Sequence, residues 1–287
     1  MPGNLKSVPA VIARWMALPL WLPVLLVCAA LSSRAESARL PLTTAAAVRM
    51  LSPEEAAKGH PVQLSGTLLL VTRQRDALVL RDDTEGIYVE LNHVIGNSRR
   101  PGDLLEVTGV TSAGNFAPTV RAKRITWVGT GALPSPRPTT IAELSAGGFD
   151  AAWVEIEGIV RSCIPTPWDP SSAARVGAPV PPSRAAPDRV GAESWAITIA
   201  QGDDRMTVQL RDRAVPEQLI DAKVRLRGVV FNVHNANRQF VRANVQVAHQ
   251  GMITVVTPPA ADPFALPLQR IDEILRFTPT GFTGHRI

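Results

Sequence analysis

Two stretches of the chain alternate apolar and polar residues in the same way. Residues 61–68 read Pro-Val-Gln-Leu-Ser-Gly-Thr-Leu, and residues 153–160 read Trp-Val-Glu-Ile-Glu-Gly-Ile-Val. A period of two is typical of a β-strand with one buried face. Each stretch has a glycine at the same step, Gly66 and Gly158, which are 92 residues apart. The chain therefore contains an internal repeat, and each copy begins with a strand that its glycine allows to bulge or bend.

Each copy of the repeat predicts five strands. The first strand is followed by two strands around an aspartate-containing turn and then by two more. These later segments are 78–91 and 196–210, 102–110 and 222–229, and 119–128 and 239–247. Closing five short strands into a small barrel removes their open edges, so we predict an all-β protein of two tandem OB-like five-stranded barrels. Thr43-Thr44 and Thr139-Thr140 are suitable N-caps for short flanking helices.

The repeat also sets the domain boundaries. The first module is predicted at residues 42–132 and the second at 139–257. The second copy is about 27 residues longer, and the extra residues fall in a proline-rich insertion at 163–193. That composition buries little apolar surface and predicts an extended or disordered loop. Residues 258–287 are predicted to be a linker and the start of a truncated third module, because the final Gly-His-Arg-Ile matches the Gly-His-Pro-Val at 59–62.

The N-terminus has the pattern of an export signal. Lys6 and Arg14 precede an apolar stretch at residues 15–31, and Ser33-Arg34-Ala35 follows as a small-x-small cleavage site. Residues 1–38 are therefore predicted to be a signal peptide or a signal anchor. We expect the protein to be exported, either periplasmic or on the extracytoplasmic face of the inner membrane. If the segment is not cleaved, it also attaches the chain to the membrane.

Composition and charge indicate which kinds of partner and which stabilising bonds to expect. Hydrophobic residues make up 45% of the chain and charged residues 19%, as is usual for a globular protein. The net charge is +5, but the longest basic run we find is the pair Arg99-Arg100, so the charge is better explained by solvated strands than by a nucleic-acid patch. Cleavage after Ala35 would leave Cys163 without a second cysteine, so the fold must be held by its hydrophobic cores.

No motif for catalysis or metal binding is found. The sequence lacks a Gly-x-Ser-x-Gly elbow, a His-Glu-x-x-His pair and a phosphate-binding loop. Its five histidines do not have the spacing of a metal site. The pairs Asp82-Asp83 and Asp203-Asp204 fall in predicted turns, where aspartate is favoured for its hydrogen bonds to the backbone. We therefore predict no enzyme activity, no metal and no other cofactor in this chain.

Candidate recognition residues lie on two loops and on nearby strands. The polar loops 112–118 and 232–238 occupy corresponding positions in the two modules, although turn formation explains them equally well. OB barrels bind single-stranded nucleic acid with aromatic side chains in a basic groove, but export disfavours that partner. Tyr88 and Phe240 are alternatively half-buried barrel residues. The candidates are Tyr88, Asn115, Phe116, Arg121, Lys123, Arg124, His234, Asn235, Asn237, Arg238 and Arg242.

Several segments resemble the extracytoplasmic portion of a group of bacterial sensor histidine kinases. They are residues 42–49 (Leu-Thr-Thr-Ala-Ala-Ala-Val-Arg), 54–57 (Glu-Glu-Ala-Ala), 61–66 (Pro-Val-Gln-Leu-Ser-Gly), 82–89 (Asp-Asp-Thr-Glu-Gly-Ile-Tyr-Val) and 261–264 (Ala-Asp-Pro-Phe). The resemblance covers nearly all of the chain from about Leu42 onward. It implies tandem OB-like modules after a signal or anchor, followed by a transmembrane helix and cytoplasmic kinase domains that this sequence does not contain.

The resemblance implies a sensing role without a known ligand. The chain would be the extracytoplasmic binding region of a two-component sensor histidine kinase, with an unknown ligand or envelope protein as partner and a homodimer formed through the kinase part. A change on binding would pass by reorientation of the modules through the linkers 133–138 and 258–264. The alternative is a stand-alone exported OB-fold protein that binds a protein partner or single-stranded nucleic acid.

Overall fold

The computed structural model describes residues 40–72, 76–91, 99–166, 194–212 and 216–265. The chain divides into two compact units, Met1–Leu40 and Pro41–Ile287, and all the strands described below belong to the second. The predicted signal or anchor at 1–38 lies outside the described residues, as do most of the insertion and the start of a third module beyond 265. No helix within the described ranges is both long enough and apolar enough to cross a membrane.

The first module, barrel 1, is a closed five-stranded barrel. Its elements are α1 (Ala45–Arg49), α2 (Pro53–Ala56), β1 (Pro61–Val71), β2 (Ala77–Arg81), β3 (Gly86–Glu90), β4 (Asp103–Ser112) and β5 (Thr119–Thr130). The strand order is β1-β2-β3-β5-β4, and β4 pairs back with β1. The β3–β5 pair is parallel and the others are antiparallel. Inward residues such as Leu64, Leu80 and Val107 are fully buried in one core.

The second module, barrel 2, repeats this order. Its elements are β6 (Arg137–Pro138), α3 (Ile141–Ser145), β7 (Trp153–Pro165), β8 (Trp195–Gln201), β9 (Asp204–Leu210), β10 (Lys223–His234), β11 (Phe240–Val247) and β12 (Ile253–Thr257), with short 3-10 helices at Glu217–Leu219, Gln250–Met252 and Pro263–Ala265. The order β7-β8-β9-β11-β10 closes through the β10–β7 pair, and β9–β11 is parallel. The predicted all-β fold of two OB-like barrels is therefore confirmed.

Two features of barrel 2 differ from the sequence expectation. The final strand is interrupted by the 3-10 helix at Gln250–Met252, so that β12 continues beyond the predicted end at 247 and pairs with β10. Strand β7 continues to Pro165, past the predicted start of the insertion at 163. The backbone N–H of Thr166 then donates to the carbonyl of Ser194 at 2.9 Å, and this contact holds the two ends of the insertion together.

The repeated glycines lie where the first strand of each barrel meets the second. A Cβ on Gly66 would lie 2.5 Å from the carbonyl oxygen of Arg81, and one on Gly158 would lie 3.0 Å from that of Ala200. The register of β1 with β2 shifts between Leu68 and Leu70, and that of β7 with β8 shifts at the corresponding place. The bulges expected from the glycines are present, and the close backbone approach excludes a larger residue.

The predicted threonine caps are also confirmed. The hydroxyl of Thr44 accepts from Ala47 N at the start of α1, and Thr140 forms a capping box with Glu143 at the start of α3. In each barrel the turn between the second and third strands adds a further cap. Asp82 Oδ2 accepts from Ala45 N at 2.6 Å, and Gln201 Oε1 accepts from Ile141 N at 2.9 Å. These bonds tie each helix to its own barrel.

Asp82 holds its turn together as well as the helix. Its Oδ1 accepts from Thr84 N at 2.8 Å, Glu85 N at 2.9 Å and the Thr84 hydroxyl at 2.6 Å. Partial burial opposes the charged form, but the hydrogen bonds from Thr84, Ala45 and Glu85 outweigh burial and lower the pKa of Asp82. The turn therefore depends on the ionised carboxylate.

Asp82→Asn is expected to destabilise the protein by about 1 kcal/mol at neutral pH, because an amide presents one acceptor oxygen in place of two. The folded-state pKa of Asp82 lies below its unfolded value. The stabilisation is thus complete above the unfolded pKa, near pH 4, and is lost as the pH falls through the folded pKa. Urea unfolding at pH 7 and at about pH 3 measures both effects.

The matched control for this measurement is Asp83→Asn, at the exposed neighbouring position. It changes the same charge without touching the four hydrogen bonds of Asp82. An equal loss of stability in both variants, or a gap between Asp82→Asn and the wild type that persists in acid, would show that the carboxylate does not hold the turn.

Candidate binding surfaces

The outer face of strands β1–β3 in barrel 1 is covered by barrel 2. Leu69, Leu70 and Val79 are buried in the same hydrophobic cluster as the core of barrel 2. The Tyr88 ring meets the Phe231 ring edge-on, with centroids 5.0 Å apart and planes inclined by 68°. Edge-to-face packing of this kind stabilises an interface beyond the area that it buries. We call this contact between the two barrels the barrel junction.

Gly86 lies at a close approach of two backbones in the barrel junction. A Cβ built on Gly86 would lie 2.0 Å from the carbonyl oxygen of Ala151, in the segment that precedes β7. The Ala151 N–H in turn donates to Val230 O at 2.9 Å. Only a residue without a side chain allows the two backbones to come so close.

A small polar cluster borders the barrel junction. Arg49 Nε lies 2.9 Å from the carboxylate of Glu85, and Arg49 Nη1 lies 3.8 Å from the buried carboxylate of Asp150. Burial raises the pKa of Asp150, and it raises that of Tyr88 well above its usual range, with the charge of Asp150 adding to the second effect. Tyr88 is therefore neutral and donates its hydroxyl proton to Val230 O at 3.3 Å.

The two loops that were predicted to recognise a partner contact each other. Arg238 Nη2 donates to the carbonyl oxygens of Ala113, Gly114 and Phe116 at 3.1–3.3 Å. The rings of Phe116 and His234 lie 4.7 Å apart. The polar loop of one barrel is thus closed onto the polar loop of the other.

The remaining candidate residues have varied environments. Asn235 Oδ1 accepts from Asn237 N and Gln239 N, both at 3.0 Å, so these amides form the β10–β11 turn. Arg121 lies 3.6 Å from the carboxylate of Glu90. The other candidates are exposed and comprise Asn115, Lys123, Arg124 and Arg242.

An open groove lies on the outside of barrel 2. It runs along the parallel neighbours β9 and β11, next to the last residue of α3, and has a volume of about 330 Å³. Its lining consists of Ser145, Arg205, Met206, Thr207, Gln209, Val241, Arg242, Ala243 and Asn244. Of these residues, only Arg242 was predicted from the sequence as a recognition residue.

Strand registers identify which positions of the two barrels correspond. Leu80 pairs with Ile87 in barrel 1 as Ile199 pairs with Met206 in barrel 2, and all four side chains point inward. The outward positions Val79, Gly86 and Tyr88 therefore correspond to Thr198, Arg205 and Thr207. The face that is apolar and covered in barrel 1 is polar in barrel 2, and Arg205 and Thr207 are exposed. Aligning the two copies residue by residue would have revealed this difference in the sequence.

The contact between the third and fifth strands also differs between the two barrels. In barrel 1, Glu90 accepts from the Thr119 hydroxyl at 2.5 Å and pairs with Arg121. The corresponding positions in barrel 2 are Gln209, Asn244 and Gln246, by the registers of β3–β5 and β9–β11. The side-chain oxygens of Asn244 and Gln246 are buried and have no hydrogen-bond partner among the described residues. Barrel 1 thus pairs its polar groups at this boundary, whereas two of the corresponding oxygens in the described part of barrel 2 lack partners.

Within the described residues, no group of three or more histidine, cysteine, aspartate or glutamate side chains is placed to hold a metal ion. The polar surface of barrel 2 offers guanidinium, hydroxyl and amide groups. Groups of this kind bind a ligand through charge and hydrogen bonds, and they are not the ligands that transition metals prefer.

Comparison with known proteins finds matches among solved structures alone. No family model matches the chain, and none of the curated proteins compared with it matches either. Among solved structures, the hypothetical protein YgiW from E. coli is 21% identical, covers 31% of this chain and 90% of its own length, and has a TM-score of 0.25. The p204 HINb domain is 12% identical, with coverage of 69% and 98% and a TM-score of 0.30.

A third structure, the Ifi202 HINa domain in complex with 20bp dsDNA, is 8% identical, with coverage of 70% and 98% and a TM-score of 0.30. Scores this low carry no argument about what the chain does. The assignment of two OB-like barrels rests on their strand order, their closure and the parallel pair that each contains.

Proposed function

We propose that this chain is the extracytoplasmic binding region of a membrane-bound sensor histidine kinase, and that its ligand-binding surface lies on barrel 2. The sensor role is supported by the sequence resemblance and by the export pattern at residues 1–38. The location of the surface is supported by one observation, the difference between two corresponding faces. Neither barrel is proposed to catalyse a reaction.

OB barrels usually bind their ligands on the outer face of the second and third strands. In barrel 1 this face carries Val79 and Tyr88 and is covered at the barrel junction. In barrel 2 the same face carries Thr198 and Thr207 and adjoins the open groove. Barrel 1 therefore supports barrel 2, which presents the polar face to a ligand.

The contacts at the first linker argue against reorientation between the barrels. Leu133 packs against the hydrophobic cluster of barrel 2, and Trp153 Nε1 donates to Pro134 O at 2.9 Å. Together with the buried barrel junction, these contacts favour movement of the two barrels as one body. A change on binding would then leave through residues 258–264, after β12, toward the part of a sensor that follows.

One observation favours binding of single-stranded nucleic acid as a second candidate. Trp127 on β5 is 46% exposed, and the Arg99 guanidinium lies 5.9 Å from its ring centroid. Lys123 and Arg124 are exposed on the same strand. An exposed indole beside cationic groups is a platform on which a base can stack. This surface lies on barrel 1 and is separate from the groove.

Binding mapped by NMR distinguishes the two candidates. Backbone amide shifts would be recorded with amino acids, neutral sugars, organic acids and a single-stranded oligonucleotide. The proposal predicts perturbation of β8, β9 and β11, whereas nucleic-acid binding predicts perturbation of β5 near Trp127. Perturbation that avoids barrel 2 with every probe would contradict the assigned surface. The sensor role is tested independently by reading the gene downstream of Ile287 for a transmembrane helix and kinase domains.

A further inference from the structure

We propose that the groove on barrel 2 binds a small anion that also carries hydrogen-bond donors, such as a hydroxy or amino carboxylate. The site is the β9–β11 seam, which consists of the outward side chains of Arg205, Thr207 and Gln209 on β9 and of Arg242 and Asn244 on β11, all of which line the groove. This inference rests on the proposed function, since it names the ligand class of the same surface.

The parallel register of β9 and β11 forms the seam. Val208 pairs with Val245 and Gln209 pairs with Gln246. Arg205 and Thr207 on β9 and Arg242 and Asn244 on β11 precede these pairs and line the groove. The intervening residues Met206, Val208, Ala243 and Val245 are buried in the core, so the five polar side chains share the outer face. The two strands pair from Val208 and Val245 onward. The groove lies before that point, where their residues are not paired.

The charge of the groove favours an anion. Arg205 and Arg242 are both exposed at its lining, and the lining contains no carboxylate. The nearby acid of α3, Glu143, is engaged at the opposite end of that helix. Its Oε2 accepts from Thr140 N at 2.8 Å and from the Thr139 hydroxyl at 2.8 Å. Two guanidinium groups without a neutralising partner in the lining can bind a carboxylate or a phosphate through charge-assisted hydrogen bonds.

The unsatisfied amide oxygen of the groove requires more than an anion. Asn244 lines the groove, and its Oδ1 is a buried acceptor without a hydrogen-bond partner among the described residues. Leaving such acceptors unpaired is unfavourable, and a bare anion has no donor to offer them. A ligand with a hydroxyl or amino group next to its charge would satisfy both kinds of group. The volume of about 330 Å³ is at the lower end of the range for small-molecule sites, which fits a metabolite or one sugar residue.

Calorimetric titration with matched probes tests each part of this inference. Lactate and propionate differ by one hydroxyl, and glucuronate and glucose differ by one carboxylate. We expect lactate to bind more tightly than propionate, glucuronate to bind more tightly than glucose, and added salt to weaken both anions. Preference for lactate would indicate a free metabolite as the source, and preference for glucuronate would indicate an acidic sugar.

The double variant R205A/R242A is expected to weaken anion binding by about tenfold or more, because it removes both charged donors. K58A/R100A is the matched control, since it removes the same charge from exposed positions on barrel 1 and is expected to leave affinity unchanged. N244A is expected to abolish the preference for lactate over propionate.

Equal loss in R205A/R242A and K58A/R100A would overturn the site, because it would show that the effect depends on net charge alone. Glucose binding at the seam as tightly as glucuronate would overturn the anion class but leave barrel 2 as the binding surface. Absence of any perturbation of β9 and β11 by these four probes would overturn the inference, while the wider NMR panel would still decide whether barrel 2 binds another class.

Discussion

Gly86→Ala is expected to loosen the barrel junction by placing a methyl group against the backbone of Ala151. The new Cβ would lie 2.0 Å from Ala151 O, and the clash is with backbone, so no side-chain rotation relieves it. Overpacking of this kind destabilises by about 1–3 kcal/mol, and more where the neighbouring backbone cannot move. The consequence is separation of the barrels and exposure of Tyr88 and Phe231.

Hydrogen exchange and urea unfolding together measure this effect. Exchange of the Ala151 amide, which is bonded to Val230 O, should accelerate, and unfolding should change from one transition to two as the barrels become independent. The control is Gly131→Ala, whose Cβ would meet only the flexible side chain of Leu104 at 3.2 Å. A Gly86→Ala protein with unchanged exchange at Ala151 would show that the barrels do not depend on this close approach.

Tyr88→Ala is expected to destabilise the protein by about 3 kcal/mol, because it removes an aromatic ring packed against Phe231 and leaves a cavity at the barrel junction. Tyr88→Phe keeps the ring and removes the hydroxyl that donates to Val230 O, so it should cost about 1 kcal/mol. The ratio of the two losses, measured by urea unfolding, separates packing from hydrogen bonding.

The same pair of variants tests the earlier interpretation of Tyr88 as a stacking platform. A platform residue is exposed, and its loss weakens oligonucleotide binding without affecting stability. The barrel junction predicts the reverse, namely lost stability and no change in oligonucleotide binding. Tyr88→Ala with native stability and reduced binding of a single-stranded oligonucleotide would contradict the role assigned here.

If the protein senses a ligand as proposed, the two barrels do not reorient freely relative to each other. The buried contacts at Tyr88 and the anchored first linker favour movement of the two barrels as one unit, and weakening the barrel junction should uncouple them. Gly86→Ala is therefore useful beyond stability. A sensor that responds normally with separated barrels would place the signal path within barrel 2 and residues 258–264 alone.

The alternation of apolar and polar residues determined the fold class. A strand with one buried face alternates apolar and polar residues, and closing five such short strands into a barrel is one way to remove their exposed edges, so each copy of the repeat predicted a small barrel. The N-caps at Thr44 and Thr140 and the bulges after Gly66 and Gly158 were predictable for the same reason, since each depends on residues close in sequence or on strand neighbours.

The candidate surfaces depend on contacts between strands and between barrels that could not be predicted from the sequence. Tyr88 and Thr207 are alternating outward residues of the same kind of strand, and only the packing of barrel 2 on barrel 1 makes one an interface residue and leaves the other exposed. Arg205 and Arg242 likewise lie far apart in sequence, and only the parallel register of β9 and β11 brings them to one groove. Local periodicity predicts which face of a strand is buried in its own barrel. Whether another surface covers the opposite face depends on long-range contacts, and these exist only in the folded protein.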